Sequence, residues 1–404
     1  MNPSPIALFD YPIGRYGFCL KFTANQRRVR QRYKKMNVLH LSSNIRFGGS
    51  EQQLIYLVEA TAKKSISNFV FCFSESDLAK RASMDATIIA VKKQKPFAPG
   101  ILLALKKAVR ENHIDIIHIH HGKFILTYML ADIFFGLKCK AVFSKKDMSR
   151  SSSFFSKIKY NYNGIYKITC VTEAIRERFK KIMYPKNHHK LMVLRDGLNI
   201  ENLEKWTPEN IYKSLDIPKG NIIIGNVANH VRAKGLRILI LTLDYLVNVK
   251  GIKNLSVVQI GRFTDLTDEY KALIDEKKLG KHIVMTGFLE NGYRFTSQFD
   301  YFLMTSQSEG MPLTLLESFY YKIPVVSTKA GGIPEAIRHG ENGMLAKVDD
   351  YVSLGDCILT LLDNPALRAS VAENAFELVM AEYTSDVMAA KTIALYNEAL
   401  ASKK

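Results

Sequence analysis

From Met36 onward the chain alternates short, almost wholly apolar, β-rich runs with stretches of helical periodicity, and it does so twice. Runs at 37–43, 69–73, 87–91, 115–120, 140–144, 167–172 and 191–195 read as strands, with helices over 51–63, 100–112, 123–136 and 173–183 between several of them. Strands that are apolar on both faces belong to parallel sheets covered by helices on each side. A polar stretch from Asp196 to Gly220, with Asn199, Pro208, Pro218 and Lys219, interrupts the pattern. It resumes with strands at 222–228, 255–261, 282–286, 300–305 and 323–327, again separated by helices. The fold class implied is α/β, with two Rossmann-like doubly wound parallel-sheet domains facing a cleft. With 404 residues, 47% of them apolar, the chain has enough material for two such cores.

Charge is distributed unevenly between the halves. Residues 1–200 hold 35 Lys/Arg against 13 Asp/Glu, whereas residues 201–404 hold 22 against 25. A field of that sign draws the first half to an anionic membrane leaflet, an anionic glycolipid or nucleic acid. Five scattered cysteines (Cys19, Cys72, Cys139, Cys170, Cys357) form no CxxC pair, which argues against a disulfide framework or a zinc knuckle and for a reducing compartment. The longest apolar stretch, 124–137, is broken by Asp132 and falls short of a membrane span, so it reads as a core helix. Asp10, Pro12 and Arg15 interrupt any secretory signal. Residues 1–35 end in the basic run QRRVRQRYKK and read as a surface arm or as the product of an upstream start codon, with Met36 as the functional start.

Ligands of doubly wound sheets bind at the carboxyl ends of strands, so the residues there are the candidates. After the first strand comes Arg46-Phe-Gly-Gly-Ser-Glu51, where Gly48 and Gly49 let backbone amides approach an anion at a helix start. A Gly-Gly turn alone is commonly just a tight turn, and the absence of a full GxGxxG weakens a nicotinamide reading. The strand DIIHIHHGK ends in His118, His120 and His121, the first two on one face by alternation. Such histidines serve either as satisfied core residues or at a ligand edge, and HxHH without an acidic partner is weak evidence for a metal. In GNVANHVRAKG, Asn229, His230, Arg232 and Lys234 precede a helix whose N-terminus could share a diphosphate charge with Lys234. In EGMPLTLLE, Glu309 and Glu317 bracket a loop and helix start, with Pro312 in its first turn, which suits a phosphorylated sugar.

Together GGSEQ, HIHHG, GNVANHVRAKG and SEGMPLTLLESFYYKIPVVSTKAGGIPEAIRHGENG resemble the retaining glycosyltransferases of family 4, of GT-B fold, over roughly residues 36–400. The resemblance implies that Glu317 accepts the nucleotide ribose hydroxyls and that Glu309 holds the donor sugar. Amides at Gly310, Met311 and Leu313, beside Pro312, would contact sugar and phosphate oxygens, and Lys234 would neutralise the diphosphate. Gly49 would place its amide near the same phosphate, with Gly48 preceding it. His120 would face the donor sugar from the opposite domain, and the loop around Gly287 and Phe288 would read the base.

There are departures from the family pattern. Asn229 replaces a usual arginine, with His230 or Arg232 as substitutes for its charge. Lys322 stands where glycine commonly ends the helix carrying Glu317, implying that the helix ends in another way. The basic SKKDMSR (144–150) replaces a usual histidine, and its Lys145, Lys146 and Arg150, with His121, are the candidate acceptor-binding residues.

The implied domains are a basic extension (1–35), an acceptor-binding domain (36–200), a nucleotide-sugar domain (201–383) and a C-terminal helix (384–404) crossing back to the first domain. The implied activity moves a hexose-type sugar, with retention, from a nucleotide-diphosphate sugar, with UDP favoured. The acceptor would be a membrane-associated glycan such as lipopolysaccharide core, O-antigen or capsule precursor. No cofactor or metal is expected, there being no DxD motif, and the expected place is cytoplasmic, peripheral on the inner face of the membrane. The alternatives are a catalytically inactive GT-B scaffold, a sugar-nucleotide epimerase or a nucleic-acid-binding basic protein, and the last needs a recognition element that only the run before Met36 resembles.

Overall fold

A computed structural model describes residues 35–81, 85–148, 154–205, 207–289 and 292–402. The basic extension before Lys35, Cys19 and Arg150 lie outside the described residues. The first sheet consists of β1 (Met36–Leu41), β2 (Ile66–Phe73), β3 (Ala86–Val91), β4 (Ile116–Ile119), β5 (Lys140–Lys145), β6 (Ile165–Cys170) and β7 (Leu191–Val193). All are parallel, in the order β3-β2-β1-β4-β5-β6-β7. Its helices are α1 (Gly49–Ala62), α2 (Asp77–Arg81), α3 (Pro99–Glu111), α4 (Gly122–Phe135), α5 (Phe154–Tyr160) and α6 (Glu173–Lys180). Right-handed crossovers put α1 and α2 on one face and α3 to α6 on the other, and α4 packs against both α3 and α5.

The polar stretch after Asp196 contributes two short helices, α7 (Ile200–Glu204) and α8 (Ile211–Ser214), whose first turns are capped by the side chains of Asn199 and Asn210. The second sheet then runs through β8 (Ile222–Val227), β9 (Leu255–Ile260), β10 (Ile283–Met285), β11 (Tyr301–Met304), β12 (Val325–Thr328) and β13 (Met344–Ala346). These are again parallel, in the order β10-β9-β8-β11-β12-β13. Helices α9 (Leu236–Asp244), α10 (Thr267–Glu276), α11 (Tyr293–Thr296), α12 (Leu313–Tyr320), α13 (Ile333–Ala336), α14 (Tyr351–Asp363), α15 (Pro365–Glu382) and α16 (Ser385–Ala401) complete it. Every strand expected from the apolar runs is present. The additional β13 is three residues long, too short to show a period.

One apolar core lies on a face of the second sheet, two smaller ones lie against the first, and a large one spans both halves. Helix α16 returns to the first domain, where Met388, Leu395 and Tyr396 pack with Tyr56, Leu57 and Ala60 of α1. The chain leading into it is tied by Ser385 N–H donating to Leu198 O and Leu198 N–H to Tyr383 O, both at 2.7 Å. A second tie comes from Glu335 of α13, whose carboxylate accepts the N–H groups of Glu173 and Ala174 at 2.7 and 2.8 Å, capping α6 across the domain boundary. These ties set the separation of the two strand edges and so the width of the cleft.

The expected core helix is α4, with Phe124, Ile125 and Tyr128 fully buried, yet at its far end Ile133 and Phe134 are exposed. Among the described residues no helix is long and apolar enough to cross a membrane.

Candidate active site

Each sheet reverses its winding at its middle, between β1 and β4 and between β8 and β11, and the loops leaving those strands face each other. They enclose a cleft of about 640 Å³. Of the residues singled out in the sequence, Gly49, Lys146, Asn229, Lys234, Phe288, Glu309, Gly310, Met311, Pro312, Leu313 and Glu317 line it. Gly48, His120, His121, Lys145, Arg232 and Gly287 stand outside that lining.

On the second-domain wall, Lys234 Nζ donates to Glu309 Oε1 at 2.5 Å, and Ser306 Oγ donates to the same oxygen at 2.7 Å. A lysine on the β8–α9 loop and a carboxylate on the β11–α12 loop thus meet at one point. An ammonium has three donors and Glu309 uses one oxygen here, so both groups retain capacity for a ligand. Behind them α12 opens onto the cleft through Pro312, Leu313 and Thr314. No side chain caps that end, which leaves its first-turn amides and positive dipole pole for an anion.

Glu317 sits one turn further along α12. It is half-buried, keeps a window onto the cleft, and makes no hydrogen bond with its carboxyl among the described residues. The surrounding protein pushes that carboxyl up to about 7, with burial as the cause. A buried acid without protein donors is suited to a ligand that brings its own, such as a diol.

Close backbone approaches explain the glycines of the long motif. A Cβ on Gly310 would lie 2.2 Å from Lys146 O of the first domain, so the loops of the two domains touch at a residue that must lack a side chain. Gly331, at φ 57°, has Glu309 O 2.0 Å from where a Cβ would be, and Gly332 N–H donates back to Glu309 O at 3.1 Å. The Gly-Gly pair therefore shapes the backbone under Glu309. Gly49 meets Leu313 across the cleft in ordinary contact, 3.7 Å from its would-be Cβ.

Behind the cleft lining, the first-domain side is built differently. His118 of β4 and His120, one residue past the strand's end, stack at 4.3 Å between centroids, and His40 of β1 joins them. Asn68 Nδ2 donates to Val58 O, which turns its Oδ1 toward His40 Nε2 at 3.1 Å as an acceptor. His40 Nδ1 is then a bare lone pair accepting from His120 Nε2–H at 3.0 Å, and His120 Nδ1 is left as a buried acceptor without a partner among the described residues. His118 is held by Tyr396 Oη of α16 at 2.5 Å and by Ser144 Oγ at 2.7 Å.

Burial holds all three neutral, His40 at about 4 and the others well below their usual value. One ring nitrogen from each lies within 4.8 Å of the others. With five of the six nitrogens already bonded to protein groups, the cluster is a hydrogen-bonded stack. His121, also near 4 through burial, is occupied by Asn44 Nδ2 at 2.7 Å and Ser42 Oγ at 3.3 Å, beside the buried Glu51.

The basic loop after β5 is largely paired. Lys145 bonds Asp147 at 2.5 Å, and Lys146 pairs with Asp196, which also lines the cleft. His230 does not supply the charge missing at Asn229: it is fully buried, bonded to Thr267 Oγ1 and Gln259 Oε1 at 2.9 and 2.8 Å, and burial lowers its pKa. Asn229 Oδ1 instead accepts Arg262 N–H at 2.9 Å, and Arg232 is exposed. The Arg262 guanidinium lies 5.0 Å over the Phe288 ring at the edge of the cleft.

Lys322 does not end α12 in another way either. It takes the left-handed conformation, φ 55°, that glycine would take, with Ile323 N–H on Ser318 O and Lys322 N–H on Phe319 O. Sequence reasoning missed Arg262, Asp196, Ser306, Glu335 and the His40–Asn68 pair. The first follows a strand end and was open to detection, while the others declare themselves only through contacts distant in sequence.

The family model described as Glycosyltransferase Family 4 matches residues 47–202, and that described as Glycosyl transferases group 1 matches residues 208–378. Among curated relatives, the N-acetyl-alpha-D-glucosaminyl L-malate synthase of Bacillus anthracis is 21% identical over 76% of this chain and 81% of its own. The lipopolysaccharide core biosynthesis glycosyltransferase LpsD of Rhizobium meliloti is 21% identical over 91% of this chain and 100% of its own. Of the solved structures, a glycosyltransferase from Rickettsia africae has a TM-score of 0.81 at 19% identity, covering 92% of this chain and all of the other. Anabaena Alr3699/HepE in complex with UDP-glucose has a TM-score of 0.76 at 19% identity, covering 90% of this chain and all of its own. With both domain models matched in order and the GT-B architecture in place, this chain is a glycosyltransferase of the group 1 family.

Proposed function

We propose that this enzyme transfers a hexose-type sugar from a UDP-sugar, with retention at the anomeric carbon, to a membrane-associated glycan such as lipopolysaccharide core, O-antigen or a capsule precursor. The observation that carries the donor half is Glu317, a carboxyl without protein donors one turn behind the paired Lys234 and Glu309. In this reading the ribose diol donates to Glu317, the diphosphate lies at the open N-terminus of α12 beside Lys234, and Glu309 holds the sugar. His120 Nδ1, unpartnered but buried behind the cleft lining, would accept a sugar hydroxyl once donor binding opens a path to it. Phe288 with Arg262 offers a surface for the base.

The bond from the anomeric carbon to the diphosphate breaks as the acceptor oxygen closes on the same face, and the departing phosphate takes that hydroxyl's proton. Charge building on the phosphate is met by Lys234 and the helix dipole, and the reaction proceeds without a metal. The acceptor half rests on the basic first domain and on the roles named for relatives such as LpsD. The enzyme works peripherally on the inner face of the membrane.

The test is a thermal-shift panel of UDP-, GDP- and ADP-sugars, without metal, on wild type and Glu317→Ala. A rise of a few degrees with UDP-sugars, absent in the variant, is expected. A rise with another nucleotide class replaces the donor, and no rise with any of them returns the chain to a scaffold. Loss of turnover on adding EDTA would overturn the metal-free step.

A further inference from the structure

Helix α5 is amphipathic the wrong way round for a water-soluble surface. It buries Ser156 and Tyr160 and exposes Phe154 at 71%, Phe155 at 79% and Ile158 at 40%. The two phenylalanine rings meet edge to face at 6.1 Å, so the exposed apolar surface is continuous. Its flanks are cationic: Lys157 is exposed on the same helix and Lys123 on the first turn of α4, and α5 contains no acidic residue. Lys159 Nζ donates to Gly122 O at 3.0 Å, fixing α5 against the start of α4.

We propose that this face of α5, with the first turn of α4, is where the enzyme docks on an anionic phospholipid bilayer. The proposal deepens the reading that the acceptor is held in a membrane. Position supports it. Lys159 and Tyr160 meet Gly122, two residues beyond His120, and α5 begins six residues after Met148, which lines the cleft. The patch therefore stands at the carboxyl edge of the first sheet, beside the cleft, so docking would bring its mouth to the lipid surface. Chemistry selects the occupant. Aromatic and aliphatic side chains ringed by lysines match the boundary between acyl chains and phosphate headgroups, where the rings enter and the ammonium groups stay outside. The charge of the domain acts in the same direction, since residues 36–200 hold 27 Lys/Arg against 12 Asp/Glu.

The same helical layer supplies a control. Ile133 and Phe134, exposed by 58% and 66%, lie at the opposite end of α4, on the amino edge of the sheet and away from the cleft.

The experiment is flotation of the full chain with vesicles of phosphatidylcholine alone or mixed with phosphatidylglycerol. Wild type is expected to float with the mixed vesicles only, less so as salt rises. Joint replacement Phe154→Ser and Phe155→Ser should weaken binding by about a hundredfold, and Lys123→Glu with Lys157→Glu should abolish the preference for phosphatidylglycerol. Phe134→Ser should bind as wild type, and all variants should keep the wild-type Tm and its shift with UDP-sugar. Undiminished flotation of the phenylalanine variant, or equal loss with Phe134→Ser, would overturn this docking face while leaving a membrane acceptor in place. If wild type floats with neither vesicle while the nucleotide shift persists, docking is overturned and the donor reading stands. A dimer in solution that the phenylalanine variant dissociates, without vesicle binding, would assign the patch to a second copy.

Discussion

The two sides of the cleft are prepared in opposite ways, the first by a buried layer behind its lining and the second by the lining itself. On the first-domain side, His40, His118 and His120 are neutral, stacked and bonded to Asn68, Tyr396 and Ser144, with one lone pair left over. On the second-domain side, Glu317 carries a carboxyl that burial penalises and no protein group relieves, beside a Lys234–Glu309 pair with capacity to spare. The first wall keeps its geometry without ligand. The second stores an electrostatic cost that a ligand can remove, which places stability on one side and binding on the other.

Lys234→Ala is the sharpest break of that contrast. Removing the cation nearest the expected leaving group should lower turnover by about a hundredfold to a thousandfold, equivalent to roughly 3–4 kcal/mol. The fold should change little, because the residue is partly exposed and its partner Glu309 keeps Ser306. Steady-state kinetics beside urea unfolding would show it, and a large loss of stability would mean that the pair is structural.

The mirror-image change is His40→Ala. It opens a cavity in the first domain, strands His120 Nε2–H and leaves Asn68 Oδ1 with Thr61 Oγ1 alone, costing about 2–4 kcal/mol in urea unfolding. Donor affinity should fall less than stability does. A stability change below about 0.5 kcal/mol would show that the stack is not the rigid wall described.

The walls also respond to pH with opposite sign. Histidines held near 4 are neutral in the folded state and protonate on unfolding below about 6.5, so their contribution to stability is lost as pH falls through that window. Glu317, raised to about 7, binds its proton more tightly when folded, so its contribution is lost as pH rises from about 4.5 to 7. A ribose diol donating to the carboxylate favours the ionised form, so UDP affinity should increase about tenfold from pH 6 to 8 and then level. Isothermal titration in buffers of different ionisation enthalpy should detect proton release near pH 7, and Glu317→Gln should flatten both curves. An affinity independent of pH would remove the ribose from Glu317.

The contrast between the walls also explains what was legible in the chain. Parallel sheets announce themselves through apolar runs, so the strand pattern and the two-domain architecture were readable. The EGMPLTLLE loop was readable because helix start, proline and carboxylates are close in sequence. His40 was not, since its role comes from a register that places it beside His118, in a strand some 80 residues away. Glu335 looked like part of a glycine-rich motif, and its capping of α6 spans 162 residues. His230 looked like a spare cation because sequence shows that a loop is basic, whereas burial decides whether a histidine in it can carry charge.

Lys322 gives the smallest effect and the finest distinction. The residue ending α12 must be left-handed for Ile323 N–H to reach Ser318 O, and a lysine there bears the steric cost of its Cβ. Its Nζ lies 2.7 Å from Glu373 and 4.6 Å over the Phe376 ring, both on α15, which offsets part of that cost. The ion pair is solvent-exposed, and an exposed ion pair contributes little. Lys322→Gly should therefore raise stability, by up to about 1 kcal/mol, with kcat and UDP affinity unchanged. If the variant is less stable, the contacts to α15 outweigh the strain, and the helix bearing Glu317 is held in place by its neighbour instead of by its own cap.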